Sequence, residues 1–276
     1  MQTIDWWIVV IGVLITGLST TIGSAFVYFI KKKHLPRLNT IFLGFAAGVM
    51  IAASVWGLII PAFSYAAEGV YGEALSFIPV VIGFALGALF MWLIDVILPH
   101  EHAVTGEVEG IEAKSVRRSW KLFSAMIIHN VPEGLAVGIT FGAAIAAANN
   151  PELAIDGGIT VLGALALAIG MGIQNIPEGA AVSLPMAETI KSKHKSFGLG
   201  ALSGAVEPVA AIIGIVLGNY LVGAMPWLLA FAAGTMMYVV VEELIPATVQ
   251  EGETHIGTFA VLSGFVVMMV LDVLLG

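Results

Sequence analysis

The chain alternates between long apolar runs and short polar intervals, and it does so eight times. A helix crossing a bilayer needs about 20 predominantly apolar residues. On that measure the runs predict spans at about 6–30, 40–62, 76–98, 120–147, 158–187, 196–221, 226–247 and 256–276. The longest polar interval, 99–119, reads as a loop. The prediction is therefore an all-α polytopic membrane protein forming one transmembrane domain over 1–276. The first run begins after Asp5 and ends at Lys31-Lys32-Lys33, the reverse of a cleavable leader, so it reads as a true span. Pro61, Pro99 and Pro246 fall near run ends, where they should terminate helices. Pro132, Pro177 and Pro208 fall inside runs, where a missing N–H should bend or break them.

The polar residues inside the runs carry more information than the runs themselves. His129-Asn130-Val131-Pro132-Glu133-Gly134 in the fourth span is nearly matched by Gln174-Asn175-Ile176-Pro177-Glu178-Gly179 in the fifth. A charge at the bilayer centre costs about 3 kcal/mol or more, so two carboxylates at equivalent depth need a reason. His129 and Asn130 lie four and three residues before Glu133, on one helix face, and Gln174 and Asn175 repeat that geometry before Glu178. Packing the two spans antiparallel brings Glu133 and Glu178 together, flanked by one imidazole and three amides. A divalent cation compensates such a pair. Imidazole with carboxylate suits Zn²⁺, Fe²⁺ or Mn²⁺ better than sodium. The sixth span adds Glu207-Pro208, with Ser203 four residues earlier on the same face.

Two adjacent metals could be held this way. His129, Glu133, Gln174 and Glu178 would surround one; Asn130, Glu133, Asn175, Glu178 and Glu207 would surround the other, the central glutamates bridging. Interhelical hydrogen bonding alone contributes only about 0.6–2 kcal/mol per bond. That would account for a single Asn or Gln, but not for three glutamates and a histidine in neighbouring spans.

Composition agrees with this reading. Of 276 residues 59% are hydrophobic and 11% are charged, against about 25% charged in soluble domains. The 32 glycines suit helices packed closely in lipid. The absence of cysteine excludes disulfides and thiolate ligation. A net charge of −8 argues against a nucleic-acid partner.

All 11 Lys and Arg follow the first, third or fifth run. They therefore share one side, the cytoplasmic one by the positive-inside rule, which leaves both termini extracytoplasmic. Phe45-Ala46-Ala47-Gly48-Val49-Met50 in the second span resembles Phe231-Ala232-Ala233-Gly234-Thr235-Met236 in the seventh. Leu93-Ile94-Asp95-Val96 in the third resembles Leu271-Asp272-Val273 in the eighth. These pairs suggest an inverted-topology repeat with its site near the midplane.

The H-N-x-P-E-G and Q-N-x-P-E-G pair in successive spans of an eight-span chain resembles the ZIP (Zrt/Irt-like) family of divalent metal transporters, most of all its bacterial branch. The resemblance implies a transport site at His129, Asn130, Glu133, Gln174, Asn175 and Glu178, a second-site ligand at Glu207, and a methionine near the site at Met50. It also implies a homodimer and an elevator-like movement of spans one, four, five and six against the rest. Some relatives carry aspartate where this chain has Asn175.

The expected function is uptake of a divalent transition metal, Zn²⁺ foremost, with Fe²⁺, Mn²⁺, Co²⁺ or Cd²⁺ possible, through the cytoplasmic (inner) membrane. Protons should compete with metal for the ligands. Departing metal would pass Glu242 or Glu243 and the His100-Glu101-His102 loop with Glu107, Glu109 and Glu112. A solvated acidic linker explains that loop equally well. His34 and His194 read as parts of the basic anchors, Asp95 and Asp272 as structural groups. Glu68, Glu73, Glu152 and Asp156 could attract cations outside. Two alternatives stay open: an intramembrane metalloenzyme, although no His-Glu-x-x-His is present, and a monovalent cation or proton exchanger.

Overall fold

The computed structural model describes residues 5–30, 35–101, 106, 108–110, 117–249 and 254–275, the side chains of 35, 36, 109, 118 and 254 excepted. Lys31, Lys32, Lys33, His34, His102, Glu107, Glu112 and Lys114 lie outside the described residues. Eight helices are long and apolar enough to cross a membrane: Trp6–Tyr28, Arg37–Glu68, Gly72–Ile97, Ser119–Asn149, Val161–Ile190, Lys193–Tyr220, Val222–Thr248 and His255–Leu275. The protein is an all-α integral membrane protein. The fourth span is the most enclosed, with 78% of its most apolar stretch buried, against 17% for the eighth. The outward faces of the third, sixth and eighth spans expose Val81, Leu89, Trp92, Ile212, Val216, Phe259 and Leu262, an apolar surface that only lipid or protein can cover.

The helices sort into two groups by how closely their backbones approach. In one, the fourth span packs along the sixth and the first along the fifth; in the other, the second packs along the eighth and the third along the seventh. Glycine sets these crossings, because in lipid small residues let backbones meet. A Cβ on Gly138 would lie 2.1 Å from the Ala211 carbonyl oxygen, and one on Gly23 would lie 2.1 Å from that of Ile176. The repeated Phe-Ala-Ala-Gly word has the same physical role twice. A Cβ on Gly264 would meet the Phe45 carbonyl oxygen at 2.0 Å, and one on Gly87 would meet that of Phe231 at 2.1 Å. Gly48 and Gly234 return the contact.

The third span ends at Ile97, just before Pro99, as expected, but other prolines depart from the expectation that they end or break helices. Pro132 and Pro177 lie inside uninterrupted helices. Pro61 does not end the second span, which continues to Glu68. A π-helical stretch, Ala53–Ile59, precedes it, and a second one, Val240–Leu244, precedes Pro246 in the seventh span. The wider turn absorbs the hydrogen bond that proline cannot make. The sixth span is interrupted at Ala205, three residues before Pro208, and the third at Ser76, three residues before Pro79. Within 99–119, β1 (His100–Glu101) pairs antiparallel with β2 (Val108–Glu109).

Candidate metal centre

The terminal glycine of each motif copy explains how the polar cluster is assembled. A Cβ on Gly134 would lie 2.4 Å from the Glu207 carbonyl oxygen, and one on Gly179 would lie 2.5 Å from that of Thr20. Each motif thus draws a further span against itself, the sixth by Gly134 and the first by Gly179. The two residues so drawn in bond each other: Thr20 Oγ1 donates to Glu207 Oε1 at 2.6 Å.

From there a hydrogen-bond chain runs across the spans. Asn175 Nδ2 donates to Glu207 Oε2 at 2.6 Å and to the Thr16 carbonyl at 3.3 Å. Gln174 Nε2 donates to Asn175 Oδ1 and, at 2.8 Å, to Glu133 Oε2. The Glu133 carboxyl interacts electrostatically with Glu178, Glu207 and His129. The His129 ring sits between two acids, Nδ1 at 3.4 Å from Glu178 Oε1 and Nε2 at 2.9 Å from Glu243 Oε2. His129, Asn130, Glu133, Gln174, Asn175, Glu178 and Glu207 are all buried.

A carboxylate can only accept, so each amide must turn its NH₂ toward the neighbouring acid. The consequence is a set of oxygens with no donor. Glu133 Oε1, Gln174 Oε1 and Glu178 Oε2 are buried without a hydrogen-bond partner, as is the donor Asn130 Nδ2. Buried acceptors without partners are costly and rare, and here three of them lie on side chains that are hydrogen-bonded or electrostatically coupled to one another. Among the described residues, no three His, Asp or Glu side chains are disposed to hold one metal ion. The arrangement therefore depends on the Gln174 amide as well as on acids, and on His129 leaving one of its two carboxylates.

Met50 is buried in the main apolar core. Ser203 donates to the Gly200 carbonyl at 2.8 Å and faces Met126 Sδ at 3.6 Å. Glu243 lies in the π-helical stretch and reaches His129, whereas Glu242 is exposed. His100 is buried, with Nδ1 2.9 Å from the Leu98 carbonyl and Nε2 3.6 Å from Asp95 Oδ1. Glu101 Oε2 meets Lys121 Nζ at 3.2 Å. Thr16 and Thr20 were not singled out from the sequence. The signal was the hydroxyl-rich run Thr16, Ser19, Thr20 and Thr21 in an otherwise apolar first span.

Comparison with known proteins bears on this cluster. The family model described as ZIP Zinc transporter matches residues 99–272, which include both motif copies and Glu207. The chain belongs to the ZIP family. It is 35% identical to zinc transporter ZIP11 of Homo sapiens, the match covering 96% of each chain. It is 33% identical to zinc transporter GufA of Myxococcus xanthus, over 95% of this chain and 97% of the relative. Zinc transporter ZupT of Chlorobaculum parvum is 36% identical over 93% of each. In this ZIP chain both motif copies point their acids into one buried cluster, and neither acid faces the lipid.

Proposed function

We propose that this protein carries Zn²⁺ through the cytoplasmic membrane into the cell by alternating access, the whole chain acting as one transmembrane domain. The observation that carries the reading is the set of unpartnered oxygens on Glu133, Gln174 and Glu178, deep inside a member of a zinc-transporter family. Zn²⁺ entering from outside would exchange its water for these oxygens and for His129. Neutral imidazole and carboxylate are both good zinc ligands. Fe²⁺, Mn²⁺, Co²⁺ and Cd²⁺ would fit the same donors, because affinities at such a site follow one general order.

The exit runs past Glu243. His129 already bonds it, so the imidazole can pass metal from the Glu178 side to the Glu243 side by a change of partner. The group formed by spans one, four, five and six would move against the rest, taking the ligands with it. The inside-facing surface would hold the basic residues and the 99–119 loop, and both termini would lie outside. Two copies would pair, as the family resemblance implies; cross-linking in native membranes tests that separately. The metalloenzyme alternative has nothing further in its favour, and the named relatives are transporters.

Zinc uptake into proteoliposomes is the direct test. Wild-type protein should fill the vesicles, and the Glu133→Ala/Glu178→Ala variant should not. Equal rates would reject the reading, and flux driven by sodium without divalent metal would favour the exchanger.

A further inference from the structure

The donor and acceptor inventory of the cluster separates its residues into two sets. Asn175 and Gln174 each carry two N–H donors, and all four are committed: Asn175 to Glu207 and the Thr16 carbonyl, Gln174 to Asn175 Oδ1 and Glu133. Glu207 receives a donor on each oxygen, from Thr20 on Oε1 and from Asn175 on Oε2. Among the seven expected metal ligands, the buried acceptors left without hydrogen-bond donors are on Glu133, Gln174 and Glu178. Unsatisfied oxygens thus lie on three of the four residues expected around the first metal. Of the three residues peculiar to the second, Asn175 and Glu207 already accept a hydrogen bond on every side-chain oxygen, and Asn130 leaves its donor Nδ2 unpartnered.

We infer that this chain loads a single Zn²⁺, on Glu133, Gln174, Glu178 and His129, and that Thr20 and Asn175 hold Glu207 as a hydrogen-bonded anchor of the sixth span instead of a metal ligand. The inference rests on the transport reading above. A second metal at Glu207 would have to share an oxygen that already accepts from the Thr20 hydroxyl or the Asn175 amide, which lowers the charge that oxygen can offer a cation. The residue at 175 decides the matter. An amide gives Glu207 a proton to accept; a carboxylate there would set two acceptors face to face, which only a proton or a cation can reconcile. The fully buried Glu207 sits in the first turn after the break at Ala205. Its anchor therefore fixes the broken point of the sixth span to the first and fifth. Thr20 and Asn175 are positioning residues in this account.

The test is the zinc content of purified protein in lipid nanodiscs, titrated with ZnCl₂ and read by elemental analysis and native mass spectrometry. Wild type should hold one zinc per chain. Asn175→Asp should hold two, a twofold rise that a merely structural role for Asn175 would not produce. Glu207→Gln should still hold one, because the glutamine oxygen can accept from Asn175 while its NH₂ donates to the Thr20 hydroxyl, whereas Glu133→Gln should hold none. Two zincs on wild type would overturn the inference while leaving transport intact, as would an Asn175→Asp protein that folds and holds one. Loss of the single zinc in Glu207→Gln would overturn it as well. A wild type that neither binds nor moves zinc would remove the transport reading and this inference together.

Discussion

The two helix groups are built alike but meet each other differently. Among the described residues, each glycine in a span whose added Cβ would come closer than 3.0 Å to another span's backbone makes that approach inside its own group. Between the groups, the equivalent contacts are side-chain ends. A Cβ on Gly57 would meet Leu167 Cδ1 at 3.1 Å, and one on Gly170 would meet Met268 Sδ at 2.2 Å. Backbone against backbone is a lock, because neither surface can rotate away. A leucine methyl or a thioether can change rotamer and let the surface slide. The polar residues divide just as unevenly. The group of spans one, four, five and six owns the entire hydrogen-bonded cluster, and the other group contributes Glu243 through its contact with His129. The cluster thus lies almost wholly within one group, and the other group supplies one acidic partner.

Several measurements would break or sharpen that contrast. The largest effect belongs to the cluster itself. Hydrogen-bonding partners outside a metal's direct ligands already contribute about 10–100-fold to affinity, so Glu133→Ala/Glu178→Ala should take zinc uptake below detection at normal expression. Next come the locks. Gly138→Ala places a methyl against the Ala211 carbonyl, and overpacking of that kind costs about 1–3 kcal/mol. It should lower the thermal midpoint in detergent, with Gly87→Ala doing the same in the other group. Gly57→Ala meets only a leucine methyl and should leave the midpoint nearly unchanged while altering uptake rate. Equal thermal losses at Gly138 and Gly57 would erase the distinction between lock and sliding surface.

The buried His129–Glu243 contact between the groups comes third. Hydrogen bonds to charged groups contribute about 1.5–3 kcal/mol, so Glu243→Gln should change the uptake rate several-fold with little effect on zinc affinity at equilibrium. Acidity is a gentler probe. Zinc binding requires neutral imidazole and ionised carboxylate, so it releases protons, and apparent affinity should fall as pH falls, by about tenfold per unit for each proton released. Uptake measured at subsaturating zinc checks the sign, which would be reversed if protons were co-transported with the metal. The smallest effect is expected from Thr20→Val, which removes one donor from a buried carboxylate that keeps another.

Much of this was legible in the chain. Eight apolar runs and the doubled N-x-P-E-G word carried the architecture and most of the cluster, because membrane burial forces a helix to declare itself by length and every intramembrane acid to declare itself by rarity. The Phe-Ala-Ala-Gly repeat was visible as a word, but its meaning as a helix crossing was not; that required knowing which glycine met which carbonyl. Pro61 was misread as a terminator, since the preceding π-helical stretch leaves no mark in hydropathy.

Helix number, the presence of buried acids and the identity of the donors follow from local chemistry, since each depends on residues within one span. Which oxygens stay unsatisfied depends on how five side chains from four spans share a limited number of N–H and O–H groups. That allocation was settled only when the backbones of Gly134 and Gly179 closed on Glu207 and Thr20. Hydrogen-bond donors are finite and directional, so their distribution is a property of the packed assembly and of no single segment.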